Sequence, residues 1–198
     1  MGRVLGILFL LLVLFFGLAM MQGGKPGQSM ASPAATADSL VGRPSISASF
    51  INEVLIACHS PAHGKGQTLY DLGVQYGIDP AWPLAFFLHE SSCGTQGMAV
   101  ITHSLGNLRC FSGSVCVNTV GNSCQPGQSC YAFFRSWEQG FEAWYQLIGN
   151  YYIKQRGLTT IARVIPVYAP AADDNDESAY IRAVTSSVAA WRSGRVLV

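Results

Sequence analysis

The chain has 198 residues, a formal net charge of +1 at pH 7, and 12% charged residues. This length suits one domain with a short appendage, and the small charge excludes both the basic surface of a nucleic-acid-binding protein and an acidic tail. We therefore expect no nucleic-acid partner.

An apolar segment occupies residues 1–21, where Arg3 precedes an uncharged run of 18 residues from Val4 to Met21. At ~1.5 Å per residue, such a run is just long enough to cross the hydrocarbon core of a bilayer. We predict a signal anchor that attaches the chain to a membrane. A cleaved signal peptide is the alternative, although Ala19 is followed by two methionines rather than by a small-residue cleavage pattern. Either segment predicts an extracytoplasmic protein, anchored or secreted.

Residues 22–44 are rich in Gly, Pro, Ala and Ser and contain few large apolar side chains. Such a composition buries too little surface to fold, so it predicts a flexible linker. Residues 45–198 are then expected to form the folded domain, as a monomer.

The first part of this domain shows helical spacing of its apolar residues. The stretches "SASFINEVLIAC" and "GQTLYDLGVQYGIDP" each place them on one face, and Gly77 ends the second helix. Asp79 followed by Pro80 is a helix start signal. We therefore expect a third helix from about residue 80 to Ser92, ended by Gly94.

From residue 105 to 131 the chain is rich in Gly, Ser, Asn and Cys, with alternating apolar residues around Val115 and Val117. This pattern predicts a small β-hairpin pinned by disulfides. The rest is expected to be helical, so the predicted fold class is mainly α with a small β insertion (α+β).

Three more helices are predicted after the hairpin. The first begins at Ser136 with Gln139 in the capping-box position. The second is "LTTIARVI", ended by Pro166 and Pro170. The last is "DESAYIRAVTSSVAAWR", with acidic residues in its first turn.

The six cysteines lie between Cys58 and Cys130, and none belongs to a C-x-x-C pair. An even number in an exported chain favours disulfides over a metal site. Two pairs of cysteines have the same spacing, which suggests that each pair closes a local disulfide loop. The remaining two cysteines then form the third pair. This pairing is one of the fifteen that six cysteines allow. The suggested pairs are Cys110 with Cys116, Cys124 with Cys130, and Cys58 with Cys93.

His59 and His63 have the spacing of a metal-binding pair, but Pro and Gly in "HSPAHGKG" argue against a helix there. We predict no metal site and no cofactor.

Glu90 is an acid at the end of an otherwise apolar helix. On a helix through residues 80–92 it shares a face with Trp82, Phe86 and Phe87. Loss of hydration against aromatic surface raises the pKa of a carboxyl, which then keeps the proton that a general acid must give to a glycosidic oxygen. The alternative is that Glu90, beside a helix end, points to water or binds loop amides.

Four sequence blocks resemble the glucosaminidase family of bacterial cell-wall hydrolases, which belongs to the lysozyme-like superfamily. They are "LAFFLHESSCGTQG", "HSLGNLRC", "YAFFRSWEQGFEAWYQLI" and "TTIARVIPVYAPAADDNDESAYIRAV", and they follow the family order over residues 66–192. The resemblance implies a lysozyme-like helical domain with endo-β-N-acetylglucosaminidase activity on peptidoglycan glycan strands. It also implies that Glu90 is the catalytic acid, at the end of a central helix that faces a saccharide cleft.

The resemblance extends to several supporting residues. Asn107 matches the family's Asn after Gly, where its amide either binds the substrate N-acetyl group or makes a structural bond, and His103 and Ser104 of the same block are further substrate-binding candidates. Tyr168 matches the family's tyrosine near the catalytic acid, with core packing as its alternative role.

Tyr131, Phe134 and Trp137 are candidates for a sugar-stacking surface, although aromatics at this spacing also suit a core.

No Asp or Glu lies between Glu90 and Glu138, so the predicted hairpin offers no second acid. Two-carboxylate glycosidases need a partner within about 5 to 10 Å. We assign Glu138 and Glu142 to a solvated helix face, and helix capping to the acids after the Tyr-Ala-Pro turn. Those acids are Asp173, Asp174, Asp176 and Glu177.

We therefore expect a single catalytic acid, with the substrate's own 2-acetamido group or a positioned water completing the reaction. One alternative is a lytic transglycosylase or an N-acetylmuramidase that acts on the same strands. Another is a wall-binding module that has no catalytic activity.

Overall fold

A computed structural model describes residues 37–198, and this part of the chain is mainly helical with one small antiparallel hairpin, as the sequence predicts. Its elements are α1 (Ala48–Ala57), α2 (Gly66–Tyr76), α3 (Ala81–Ser91), α4 (Ala99–Thr102), β1 (Val115–Val117), β2 (Tyr131–Phe133), α5 (Trp137–Gln146), α6 (Ile161–Tyr168) and α7 (Glu177–Arg192). A π-helix, Leu147–Gln155, continues α5, and a 3₁₀ turn, Ala171–Asp173, precedes α7.

The predicted membrane segment, residues 1–21, lies outside the described residues, as does the first part of the predicted linker. Within residues 37–198, no helix is long and apolar enough to cross a membrane.

Local capping residues set the helix ends much as predicted. Gly77 ends α2 in the left-handed conformation with φ +68°, which glycine adopts without strain. The Ser136 hydroxyl accepts a hydrogen bond from the N–H of Gln139 at 3.4 Å, and Asp176 accepts one from Ala179 at 2.8 Å. These bonds satisfy free N–H groups in the first turns of α5 and α7.

The predicted end of α6 at Pro166 is wrong, because the helix includes Pro166 and continues to Tyr168. Proline removes one intrahelical bond, normally made to the carbonyl four residues earlier. That carbonyl belongs to Ala162, which is exposed, so water can take the place of the missing N–H.

The predicted linker is too long, because residues 37–44 belong to the folded domain. Ser39 forms a β-bridge with Thr160, Val41 forms one with Ile78, and Leu40 is fully buried between these contacts. One buried leucine together with backbone pairing is enough to fix a segment whose composition is typical of a linker.

Helix α3 lies in the core, and most of its residues are buried. Helix α7 packs against it. At the start of α3 the Asp79 carboxylate accepts a hydrogen bond from Arg192 Nη2 at 2.9 Å and others from the N–H groups of Ser45 and Ala81. The Arg192 guanidinium also lies over the Trp82 ring, 5.6 Å from its centre.

The hairpin pairs Val115 with Phe133 and Val117 with Tyr131. Three disulfides follow the pairing suggested by the spacing, Cys110–Cys116, Cys124–Cys130 and Cys58–Cys93. The first two close small loops in the hairpin lobe, and the third joins the end of α1 to the loop after α3.

We predict that Arg192→Ala lowers the free energy of unfolding by about 2–3 kcal/mol, since it leaves the Asp79 carboxylate buried without its cation. With Arg192 in place, only 3% of the Asp79 side chain is exposed, so the carboxylate depends on its protein partners rather than on water. Urea unfolding measures the effect. Arg182→Ala, at an exposed position on the same helix, is the control and should cost less than about 0.5 kcal/mol. Equal losses in the two variants would contradict the prediction.

Candidate active site

The Glu90 carboxylate is held between two donors from distant parts of the chain. Tyr180 of α7 donates its hydroxyl to Oε1 at 2.7 Å, and Asn107 donates Nδ2 to Oε2 at 3.1 Å. The side chain is therefore fixed at the end of α3 and does not simply point into solvent or bind loop amides.

Asn107 connects the loop after α4 to the end of α3. Its Nδ2 also donates to the backbone carbonyl of Glu90 at 3.1 Å, so one amide group binds both parts of the same residue. Asn107 has φ +48°, a left-handed conformation that asparagine tolerates better than most residues. Its Oδ1 is buried and accepts no hydrogen bond from residues 37–198.

Tyr180 is a site residue to which sequence reasoning assigned no role. Its side chain is 5% exposed, and its ring lies 4.0 Å from the His89 ring and 5.5 Å from the Phe86 ring, centre to centre. Helical spacing marks Tyr180 as a buried position of α7, but no local pattern reveals its partner, which is 90 residues earlier in the chain.

Burial raises the pKa of Glu90 above its ordinary value of 4.5, and the bonds from Tyr180 and Asn107 lower it in part. The shift of the Glu90 pKa has the direction expected from the sequence. The three aromatic residues predicted to share its helix face, however, make contacts with different parts of the structure. Phe86 packs against Tyr180, while Phe87 packs against Trp137 and Phe141. Trp82 contacts Arg192 at the other end of α3.

Tyr168 lies beside this group, but its hydroxyl is used elsewhere. It donates to the backbone carbonyl of Gly106 at 2.7 Å, and its ring meets Phe86 edge-on at 5.1 Å. A Cβ at Gly106 would overlap the Tyr168 hydroxyl and the Trp144 indole, so this contact requires glycine. Burial, and then the Glu90 carboxylate, raise the pKa of Tyr168 well above its usual range.

A cleft of about 800 Å³ opens over Glu90. Its wall brings together four predicted site residues, Glu90, Asn107, Tyr131 and Tyr168. The other lining residues are Gly106, Leu108, Arg109, Cys110, Phe111, Ala143, Gln146, Leu147, Tyr152, Ala169, Asp173 and Asn175.

Four predicted substrate-binding residues are not among those that line the cleft. His103 Nδ1 is bonded to the carbonyl of Phe134, and the His103 ring packs edge-on against Trp137. Ser104 is buried, and its hydroxyl accepts from the N–H of Leu108. Phe134 and Trp137 both pack on the core, which is the alternative that their spacing left open.

Asp173, which the sequence analysis assigns to helix capping, is instead exposed in the wall of the cleft. Of the neighbouring acids, Asp176 caps α7 and Glu177 accepts a hydrogen bond from the N–H of Ala171. Glu142 is exposed on α5. Glu138 pairs with Lys65 at the surface.

Glu90 thus shares its cleft with a second carboxylate, which comes from the segment before α7 and not from the hairpin.

Among residues 37–198, no group of three or more His, Cys, Asp or Glu side chains is placed to hold a metal ion. His59 and His63 line a separate cavity of about 320 Å³ with Ile56 and Ser60.

No model of a known protein family matches this sequence, and no curated protein matches it either.

We predict that Glu90→Gln becomes more stable relative to the wild type as pH rises. The raised pKa of Glu90 means that the folded chain binds this proton more tightly than the unfolded chain. The stability that the protonated Glu90 contributes to the wild type is therefore lost from about pH 4.5, the ordinary value, up to the folded pKa, and glutamine does not titrate. Urea unfolding in steps from about pH 4 to about pH 8 measures the difference. A difference independent of pH would contradict the prediction.

Proposed function

We propose that this chain is an exported peptidoglycan hydrolase of lysozyme-like type that cleaves β-1,4 glycosidic bonds of the glycan strand, with Glu90 as general acid. The observation that carries the proposal is the environment of Glu90. Its carboxyl group has a raised pKa, two neutral donors that fix it, and an open cleft beside it.

The chemistry of these groups suits acid catalysis. A general acid must be protonated near the working pH and must lie against the leaving oxygen. Tyr180 and Asn107 hold Glu90 without placing a cation beside it, so the proton is not displaced by a charged partner.

In the proposed reaction, Glu90 gives its proton to the glycosidic oxygen as the bond from that oxygen to C1 breaks. The electron deficiency at C1 is met by the substrate's 2-acetamido oxygen. Water then adds to C1, the bond from C1 to the acetamido oxygen breaks, and the water gives its proton back to Glu90. Alternatively, Asp173 takes a proton from a water that attacks C1 directly, since Asp173 is the second carboxylate in the wall of the cleft.

The size of the cleft agrees with an oligosaccharide substrate. Sites for ligands of moderate size occupy about 300–1,000 Å³, and this cleft of about 800 Å³ lies in that range. The three disulfides fit an oxidising compartment, where a cell-wall enzyme would act.

We expect the full-length chain to clear purified cell walls in a zymogram and Glu90→Gln to lose about 10²–10⁴-fold in rate, because the proton donor is gone. The control is Glu53→Gln, at an exposed carboxylate on α1 that does not line the cleft, and it should clear like the wild type. Clearing by Glu90→Gln at the wild-type rate would overturn the proposal.

Mass spectrometry of the released fragments separates the related reactions. A reducing N-acetylglucosamine end is expected for the proposed glucosaminidase, a reducing N-acetylmuramic acid end for a muramidase, and an anhydro end for a lytic transglycosylase. Absence of clearing by the wild type, with binding retained, would favour a wall-binding module.

We also expect Tyr180→Phe to move the alkaline limb of the activity profile to higher pH. The Tyr180 hydroxyl lowers the pKa of Glu90 by bonding its charged form, so removing it raises that pKa further. The acid then stays protonated at higher pH. The measurement is kcat/KM against pH, with Tyr70→Phe on α2 as the control. A profile that falls uniformly without moving would show that Tyr180 has a structural role alone.

A further inference from the structure

Arg109 is a cation in the wall of the cleft, and neither of the ion pairs among residues 37–198 includes it. It lies in the loop before the hairpin, is exposed, and pairs with Tyr131 through an isolated backbone bridge. Its guanidinium carbon lies 4.7 Å from the centre of the Tyr131 ring. The side chain is thus positioned over an aromatic ring that also lines the cleft.

The position of the guanidinium over the Tyr131 ring leaves its N–H groups available to bind a ligand. A guanidinium that lies on a ring uses its face for that contact, while its N–H groups point outward around its edge. Across residues 37–198 the ion pairs are Lys65 with Glu138 and Arg192 with Asp79. Glu90 and Asp173 line the same cleft but do not pair with Arg109, so its charge is not neutralised.

This arrangement also changes the role expected of Tyr131. One face of its ring is covered by Arg109, so that face is not available to stack on a sugar. Tyr131 instead supports a cation, and the group that this cation suits best is a planar carboxylate bound through two parallel N–H bonds.

We propose that Arg109, supported by Tyr131, forms a subsite for a carboxylate carried by the glycan strand next to the bond that is cut. The inference rests on the proposed function and adds a substrate preference to it. A neutral polymer of N-acetylglucosamine carries no carboxylate. A peptidoglycan strand carries one on the lactyl group of N-acetylmuramic acid where no peptide is attached, and on the peptide stem where the lactyl carboxyl is joined to the peptide as an amide. The subsite therefore selects peptidoglycan over a neutral glycan.

The test measures binding to the full-length chain that carries Glu90→Gln, so that the ligands are not cut. The ligands are a neutral N-acetylglucosamine hexasaccharide, a peptide-free peptidoglycan glycan, and a peptide-bearing one. We expect the added Arg109→Gln change to weaken binding of a carboxylate-bearing glycan about tenfold and to change binding of the neutral hexasaccharide less than about twofold.

The two carboxylate-bearing ligands identify the source of the carboxylate. Loss with the peptide-free glycan alone points to the lactyl carboxylate, and loss with the peptide-bearing glycan alone points to the peptide. Loss with both shows that the subsite accepts either carboxylate. Arg109→Lys keeps the charge but lacks the planar fork, so it should recover only part of the affinity. Full recovery would overturn the two-bond arrangement.

Equal weakening for the neutral and the charged ligands, or no weakening at all, would overturn the inference and leave the proposed function intact. Failure of the Glu90→Gln chain to bind any of the three glycans would overturn the proposed function and the subsite together.

Discussion

The pairing of α3 with α7 determines where the candidate acid lies. Two polar contacts mark the ends of this pairing, Asp79 with Arg192 where α3 begins and Glu90 with Tyr180 where it ends. The two helices are therefore antiparallel. At ~1.5 Å per residue the two spans have nearly the same length, and a slip of one residue in α7 would turn Tyr180 by ~100°. Precise packing along the whole helix pair is thus needed to bring one hydroxyl to one carboxylate.

The same pairing puts two carboxyl groups at opposite ends of α3 in different surroundings. Asp79 has a guanidinium and two backbone N–H groups as partners. Glu90 has a phenol and an amide, which donate hydrogen bonds but carry no charge. Asp79 thus has a cation as its partner, whereas burial favours the protonated form of Glu90 and its two neutral donors oppose this only in part.

Much of this architecture is predictable from the sequence because its signals are local. Gly77, Ser136 and Asp176 mark helix ends through contacts within a few residues, and the hairpin disulfides close short loops. Glu90 is also locally marked, as an acid that follows an apolar run.

The residues that prediction missed depend on contacts between distant segments. Tyr180 reaches Glu90 across 90 residues. Leu40 is buried because residues near it pair with Thr160 and Ile78, although its own surroundings in the sequence are typical of a linker. Arg109 is placed over Tyr131 by a backbone bridge across the hairpin lobe. Composition and residue spacing do not predict such long-range contacts.

Arg192 also binds the first residues that the structure describes. Arg192 Nη1 donates to the carbonyl of Ala37 at 2.8 Å, so the chain enters the domain beside the start of α3. Glu90 lies near the other end of that helix, ~14 Å further along its axis. The point where the described chain enters the domain and the carboxyl group in the cleft are thus separated by about the length of α3.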